Sequence, residues 1–324
     1  RSDVNLERTF TFKYSKRTWS GVPIICSNMD TISTIDMFKE LSQHKIITCF
    51  HKFIDMTQVI QAVNDGYDAE YFMLSTGISD EDFENLKKNV TLFKTEFNTE
   101  LPFICIDVAN GYMFKLLNFC KKVRQEFPHT TIIAGNVVTR EIVEELCISG
   151  LVDIVKVGIG SGAVCTTRLQ TGVGMPQLSA VMECADAAHG IDANIISDGG
   201  ICYSGDISKA FGGGADFVMM GSMFSGHDEC AGELIEENNK KYKLFYGMSS
   251  DTAMNKYHGG VANYRSSEGK TVKVPYKGPV VETIYNMLGG IRSTCTYIGA
   301  QRIKDISKCA TFVRVNRQVN NFYK

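Results

Sequence analysis

The stretch Thr131-Ile132-Ile133-Ala134-Gly135-Asn136-Val137, the helically spaced segment Arg140 to Ser149, and Asp153-Ile154-Val155-Lys156-Val157 together decide the fold. The two outer runs are nearly continuously apolar instead of alternating, as strands buried on both faces are. A helix between two such strands makes a parallel β-α-β unit. The rhythm extends both ways: Val22 to Cys26, Ile46 to Phe50, Glu70 to Leu74 and Phe103 to Val108 come before, and Asn194 to Ser197 and Asp216 to Met220 after. Helically spaced segments such as Thr34 to Gln43 separate them. Eight units predict an α/β fold, a TIM (β/α)8 barrel, with an open doubly wound sheet as the alternative the same rhythm permits.

The chain has 324 residues and a mass of 36.0 kDa, which suits one barrel of about 250 residues plus an insertion. Residues 1–324 are accordingly read as a single catalytic barrel domain. Between the last strand and a final helix near Val281 to Ala300 lies a segment, about 223–280, that mixes Gly, Lys, Tyr and Ser with little periodicity. Long irregular segments in compact domains are usually functional, so this one is expected to be a mobile lid over the C-terminal ends of the strands. A plain surface excursion is the alternative.

Hydrophobic residues make up 44% and charged residues 22%, which excludes a disordered or fibrous chain. With 34 basic and 36 acidic residues the net charge is -2, so there is no general attraction to nucleic acid or an anionic membrane, and any anion must be bound locally. The longest stretch without a charged residue, Leu169 to Met182, is too short and polar to span a bilayer. The chain opens at Arg1-Ser2-Asp3 with neither Met nor an apolar leader, which lends no support to secretion and points to a trimmed start. Eleven cysteines without a Cys-x-x-Cys pair read as reduced thiols of a cytosolic protein, not as disulfide or zinc frameworks.

The sixth strand runs into Gly158-Ile159-Gly160-Ser161-Gly162-Ala163-Val164-Cys165-Thr166-Thr167-Arg168. The loose G-x-G-x-x-A match is not a dinucleotide fingerprint, because Gly172, Gly174 and Pro176 keep the chain irregular where a helix should open, and no acidic residue ends the next strand at the required distance. A glycine-rich loop can instead turn carbonyls toward a monovalent cation or amides toward an anion. It also holds Cys165 in a polar loop beside Thr166, Thr167 and Arg168, where hydroxyls and a cation favour a thiolate nucleophile; the other ten cysteines read as inert. Ser197-Asp198-Gly199-Gly200 and Gly221-Ser222 end the last two strands, the phosphate-binding positions of many barrels, with Asp198 placed to accept from ribose hydroxyls.

These residues resemble the inosine monophosphate dehydrogenase and guanosine monophosphate reductase superfamily, from Gly21 almost to the C-terminus. The resemblance is carried by Gly158 to Thr167, Thr171-Gly172-Val173-Gly174, Pro176-Gln177-Leu178-Ser179-Ala180-Val181, Ile196 to Gly200 and Tyr246-Gly247-Met248-Ser249-Ser250. Tyr264-Arg265-Ser266-Ser267-Glu268-Gly269-Lys270 resembles the reductase branch, and His51-Lys52-Phe53 leaves no room for the dehydrogenases' regulatory domain pair. The resemblance implies NADPH-dependent reductive deamination of GMP to IMP with release of ammonia, through a covalent thioimidate, by a cytosolic homotetramer. Cys165 is then the nucleophile, and Thr167 coupled to Glu268 the proton donor.

It further implies that GMP meets Asp198, Gly199, Gly200, Gly221, Ser222, Gly247, Met248, Ser249, Arg265, Ser266, Ser267, Glu268 and Gly269. NADPH would meet Lys52, Asp107, Val108, Ala109, Asn136, Ile159, Gly160, Met248, Tyr264, Arg265, Ser293, Thr294, Cys295 and Thr296. Potassium would lie at Gly160, Gly162, Cys165 and Arg168. Ala163 departs from the family's common Ser, which contacts phosphate, and Ser222 is expected to supply a hydroxyl in its place. A dehydrogenase that lacks the regulatory insertion and a non-catalytic nucleotide-binding barrel are the competing readings.

Overall fold

A strand closed into a barrel and ringed by helices has no wet face, so its side chains are apolar on both sides except where the strand runs out. The barrel strands here follow that rule. A computed structural model describes residues 1–260 and 266–316, apart from the side chain of His258. An N-terminal hairpin, β1 (Arg8–Thr11) and β2 (Thr18–Gly21), precedes eight parallel strands: β3 (Ile24–Cys26), β4 (Ile47–Phe50), β5 (Phe72–Thr76), β6 (Phe103–Asp107), β7 (Thr131–Val137), β8 (Ile154–Val157), β9 (Asn194–Asp198) and β10 (Phe217–Met220). β10 pairs with both β9 and β3, which closes the barrel and excludes the open sheet.

Each strand is followed by a helix: α1 (Ile35–Gln43), α2 (Met56–Asn64), α3 (Asp80–Phe97), α4 (Phe114–Glu126), α5 (Arg140–Ile148), α7 (Gln177–His189), α8 (Ser204–Gly212) and α10 (Val280–Ile298). A short α6 (Thr167–Thr171) lies in the loop after β8, and α11 (Ile306–Cys309) follows α10. Among the described residues no helix is long and apolar enough to cross a membrane. All eleven cysteines are free.

Alternate residues of each strand serve different cores. Ile25, Ile47, Met73, Phe103, Ile133, Ile154, Ile196 and Phe217 point into the barrel, where Phe10, Phe12 and Trp19 of the hairpin plug its lower end. Phe10 stacks on Phe217 with ring centroids 4.5 Å apart. Ile24, Cys26, Ile104, Ile132, Val155 and Ile195 point outward under the helices.

The predicted strands all form, and their ends move by a residue or two. The third moves furthest, from Glu70–Leu74 to Phe72–Thr76, because Asp68 caps a 3-10 turn over Ala69–Tyr71. The segment between β10 and α10 has more regular structure than its sequence suggests. It holds an antiparallel sheet of β11 (Ile235–Glu237), β12 (Lys240–Tyr246) and β13 (Thr271–Pro275), with α9 (Asp251–His258) between the last two. β13 alternates between exposed and half-buried residues, too weak an apolar contrast to stand out in the sequence.

Below the barrel, Arg124 of α4 meets Asp153 at 2.6 Å, with the side chains 8% and 0% exposed. Its guanidinium also donates to the carbonyls of Pro128, Thr130 and Leu151, while Asp153 accepts from the backbone amides of Ile132 and Tyr14. The pair therefore ties the hairpin, β7, β8 and α4 together. Arg124→Met leaves a buried carboxylate without its cation and is expected to cost about 3–5 kcal/mol in urea unfolding. A loss below about 1 kcal/mol, the ordinary value of a surface pair, would contradict this.

Candidate active site

Three connected cavities lie in a row across the C-terminal ends of the strands. The central one, of about 290 Å³, is lined by Ser27, Asn28, Met29, Asp107, Asn136, Lys156, Cys165, Thr167, Asp198, Gly247 to Ser249, Glu268 and Gly269. On one side it shares Ser27, Met29, Gly162, Val164 and Asp198 with a smaller cavity that reaches Gly199, Gly200, Gly221 and Ser222. On the other it shares Asn28, Asp107, Val108, Ala109, Met248 and Ser249 with a cavity of about 390 Å³ that extends to His51, Lys52 and Ser75 to Gly77.

The smaller cavity depends on two glycines. Gly199 and Gly200 have φ of +84° and +76°, and a Cβ on Gly199 would lie 2.7 Å from Ser161 Oγ, so a side chain there would strain the turn and crowd the loop that carries Cys165. Backbone amides can thus approach an anion closely. Ser222 lines this cavity, but its hydroxyl donates to the Ile201 carbonyl at 3.0 Å. A phosphate would have to draw it from that partner.

At the centre the Cys165 thiol donates to Thr167 Oγ1 at 3.2 Å, and Thr167 donates to Glu268 Oε2 at 2.7 Å. Residues 101 apart in sequence are brought together by the backbone: Thr166 N donates to the Glu268 carbonyl, Cys165 bridges Gly269, and Glu268 N donates to the Ser249 carbonyl. Thiol, hydroxyl and carboxylate form one path along which a proton can leave sulfur. The remaining thiols differ in setting: burial pushes those of Cys120, Cys147 and Cys184 up to about 12, whereas Cys165 is half-buried on the cavity wall.

The floor of the central cavity carries charge. Two residues beyond the inward-facing Ile154, Lys156 also points inward; its side chain is 3% exposed and lies 2.9 Å from Asp107 Oδ1 and 2.7 Å from Asp198 Oδ2. Burial by itself would pull the ammonium down, but the Asp107 and Asp198 carboxylates outweigh it and hold it well above its usual value. Burial likewise works against ionised Asp107, yet Lys156 and the Asn28 amide keep that carboxyl below its usual value. Asn136 donates to Asp198 Oδ2 at 2.9 Å, so Asp198 is aimed from two sides. Sequence reading missed Lys156, although a single charge in an apolar strand, in register with an inward Ile, was the available signal.

Most of the expected residues converge. Asp198, Gly247, Met248, Ser249, Glu268 and Gly269 line the central cavity, as do Asp107, Val108, Ala109, Asn136, Ile159, Gly160 and Gly162. Lys52 lines the large cavity, paired with Asp82 at 2.9 Å. Ser266 is exposed, and Ser267 turns its hydroxyl toward the carbonyls of Ser249 and Gly269. Arg168 packs over Gly160 and donates to the Met175 carbonyl. Ser293 to Thr296 do not line the cavities; they lie on α10 in the outer helical ring, where Thr294 meets Ser208 of α8 at 2.8 Å. Tyr264 and Arg265 lie outside the described residues.

A closed (β/α)8 barrel that gathers a thiol, a hydroxyl and a carboxylate where its strands end is the architecture of an enzyme. The family model of the IMP dehydrogenase / GMP reductase domain matches residues 2–320. The chain is 56% identical over 324 residues to GMP reductase 1 of Homo sapiens, covering 100% of this chain and 92% of the relative. It is 56% identical over 322 residues to GMP reductase of Buchnera aphidicola subsp. Acyrthosiphon pisum (strain Tuc7), covering 99% and 90%. To GMP reductase of Salmonella paratyphi C it is 55% identical over 325 residues, covering 100% and 92%. The chain belongs to the IMP dehydrogenase / GMP reductase family, and it is an oxidoreductase of that family.

Exposure predicts which thiols react. Brief iodoacetamide treatment of the native protein, followed by peptide mass spectrometry, is expected to label Cys165 and the exposed Cys202 and Cys309, but not Cys120, Cys147 or Cys184. Labelling of those buried thiols ahead of Cys165 would contradict the placement.

Proposed function

We propose that the chain catalyses NADPH-dependent reductive deamination of GMP to IMP with release of ammonia, through a thioimidate on Cys165. The carrying observation is the row of three joined cavities with the Cys165–Thr167–Glu268 path at its centre. The relatives named GMP reductase support the same reading. In it the nucleotide's phosphate lies by Gly199, Gly200, Gly221 and Ser222, its ribose hydroxyls donate to Asp198, and its base reaches Cys165 beneath Met248, Ser249 and Gly269. Arg265, Ser266 and Ser267 would be further contacts of GMP. Residues 223–280 act as a lid.

Carbon 2 of guanine carries an amine that must leave before the carbon can be reduced. Cys165 sulfur bonds to that carbon, its proton passes through Thr167 to Glu268, and Glu268 returns it through Thr167 to the departing nitrogen. Ammonia leaves, and the carbon stays bonded to sulfur as a thioimidate. Bound NADPH would supply the hydride that this carbon takes up; breakage of the carbon–sulfur bond would then release IMP and leave the Cys165 thiolate to regain a proton.

The large cavity would take the cofactor: it joins the central cavity that holds Cys165, and Lys52 on its wall, paired with Asp82 at 2.9 Å, is the cation that an anionic ligand would draw on. Tyr264 belongs to the same reading. Ser293 to Thr296 would serve the cofactor only from a neighbouring copy, a role that a homotetramer would give them. The run from Gly160 to Arg168 has no carboxylate, and its carbonyls suit a monovalent cation such as potassium held at Gly160, Gly162, Cys165 and Arg168. Among the described residues no group of three or more His, Cys, Asp or Glu gathers that could hold a metal ion. A cytosolic setting accords with eleven free thiols.

Protein mixed with GMP and NADPH should consume the reduced nicotinamide and release one ammonia per IMP formed. Reduction of NAD by IMP, with no activity on GMP, would instead make it a dehydrogenase. Cys165→Ala should abolish turnover while GMP affinity stays within about tenfold, because the bond forms only during reaction. Glu268→Gln should slow ammonia release far more than hydride transfer. Equal slowing of the two half-reactions would refute the proton path.

A further inference from the structure

Asp30 lies one residue beyond Ser27-Asn28-Met29, which form one wall of the central cavity, and Tyr246 lies one residue before Gly247-Met248-Ser249, which form the facing wall. The two walls are joined behind the cavity at a single oxygen. Asp30 Oδ2 accepts hydrogen bonds from Tyr246 OH at 2.8 Å, Lys256 Nζ at 2.7 Å and Tyr257 OH at 2.6 Å. Asp30 is 2% exposed at its side chain, and Lys256 is 52% exposed. Burial would raise the Asp30 carboxyl, but the bonds from Lys256, Tyr257 and Tyr246 outweigh it and hold it ionised below its usual value. Phe53, one residue after Lys52, stacks face to face on Tyr257 with ring centroids 4.0 Å apart, a second tie between α9 and the barrel.

We propose that Asp30 is a positioning residue for the reaction: by clasping both ends of the Tyr246–Tyr257 segment it sets Met248, Ser249 and Glu268 against Cys165. This rests on the function proposed above. The path is continuous. Ser249's carbonyl accepts from Glu268 N, Ser250 bridges Gly269, and Glu268 accepts from Thr167. A buried ionised carboxylate is a poor source of net stability compared with an apolar filler, whereas three directed bonds to one oxygen allow little freedom in how the insertion seats. The clasp therefore acts on geometry at the cavity.

The test uses the full chain with Lys256→Met, Tyr257→Phe and Asp30→Asn. Lys256→Met is the informative variant if Asp30→Asn fails to fold, since its ammonium is half in solvent. Two readouts are taken. Without ligands, limited proteolysis within residues 247–260 should speed up about tenfold in Lys256→Met, and less in Tyr257→Phe. With GMP and NADPH, kcat should fall about tenfold while KM for GMP moves less than about threefold, and Lys256→Met should add almost nothing in a Glu268→Gln background, because the group being positioned is already disabled. Unchanged proteolysis, unchanged kcat, or losses that multiply in the double variant would overturn the clasp. If the parent chain fails to turn over GMP, the function proposed above fails, and the proteolysis readout still decides the clasp.

Discussion

The site is organised around one buried ammonium. Lys156 stands at the top of a barrel filled below it mainly by Ile, Phe, Met and Cys side chains, and it is tolerated only because two carboxylates meet it at hydrogen-bond distance. Those carboxylates end β6 and β9, and β8 carries the lysine, so three strands must finish at compatible heights. Asn28 and Asn136 complete the arrangement by donating to Asp107 and Asp198. The cavity floor is thus as defined as the apolar core beneath it. Two carboxylates against one cation also leave it net negative, with Asp107 on the side shared with the cavity that holds Lys52 and Asp198 on the side shared with the smaller cavity.

Above this floor the chemistry depends on loops, and the loops are tied to one another. The loop after β8 supplies Cys165 and Thr167, and the long insertion supplies Met248, Ser249 and Glu268; backbone bonds between Thr166 and Glu268 and between Glu268 and Ser249 hold them in register. The antiparallel sheet of β11, β12 and β13 gives that insertion a frame of its own. Asp30 then seats the frame on the barrel.

Much of this was legible in the residues. Thr131–Val137 was readable to the residue because a strand buried on both faces is nearly continuously apolar, and the Cys165 loop was readable because its glycines, hydroxyls and lone thiol follow such a strand. Other parts were not. Asp30 and Lys256 are 226 residues apart, and Lys156 and Asp198 are 42 apart; a lone charge in sequence says nothing of the partner that makes it tolerable. Ser222 shows the converse: its position was legible, but the turn of its hydroxyl onto Ile201 depends on a neighbouring loop 21 residues away. Ser293 to Thr296 were expected at the cofactor, yet a single chain places them in the outer helical ring.

The central claim is that Cys165 becomes covalently attached to the purine during turnover. The most direct test is to quench the protein with acid while it is turning over GMP and NADPH, and to map the mass of its peptides. The account predicts an adduct of the mass of GMP less ammonia on the peptide that contains Cys165, lost in Cys165→Ala. Turnover without any such adduct, or with one on another residue, would contradict it.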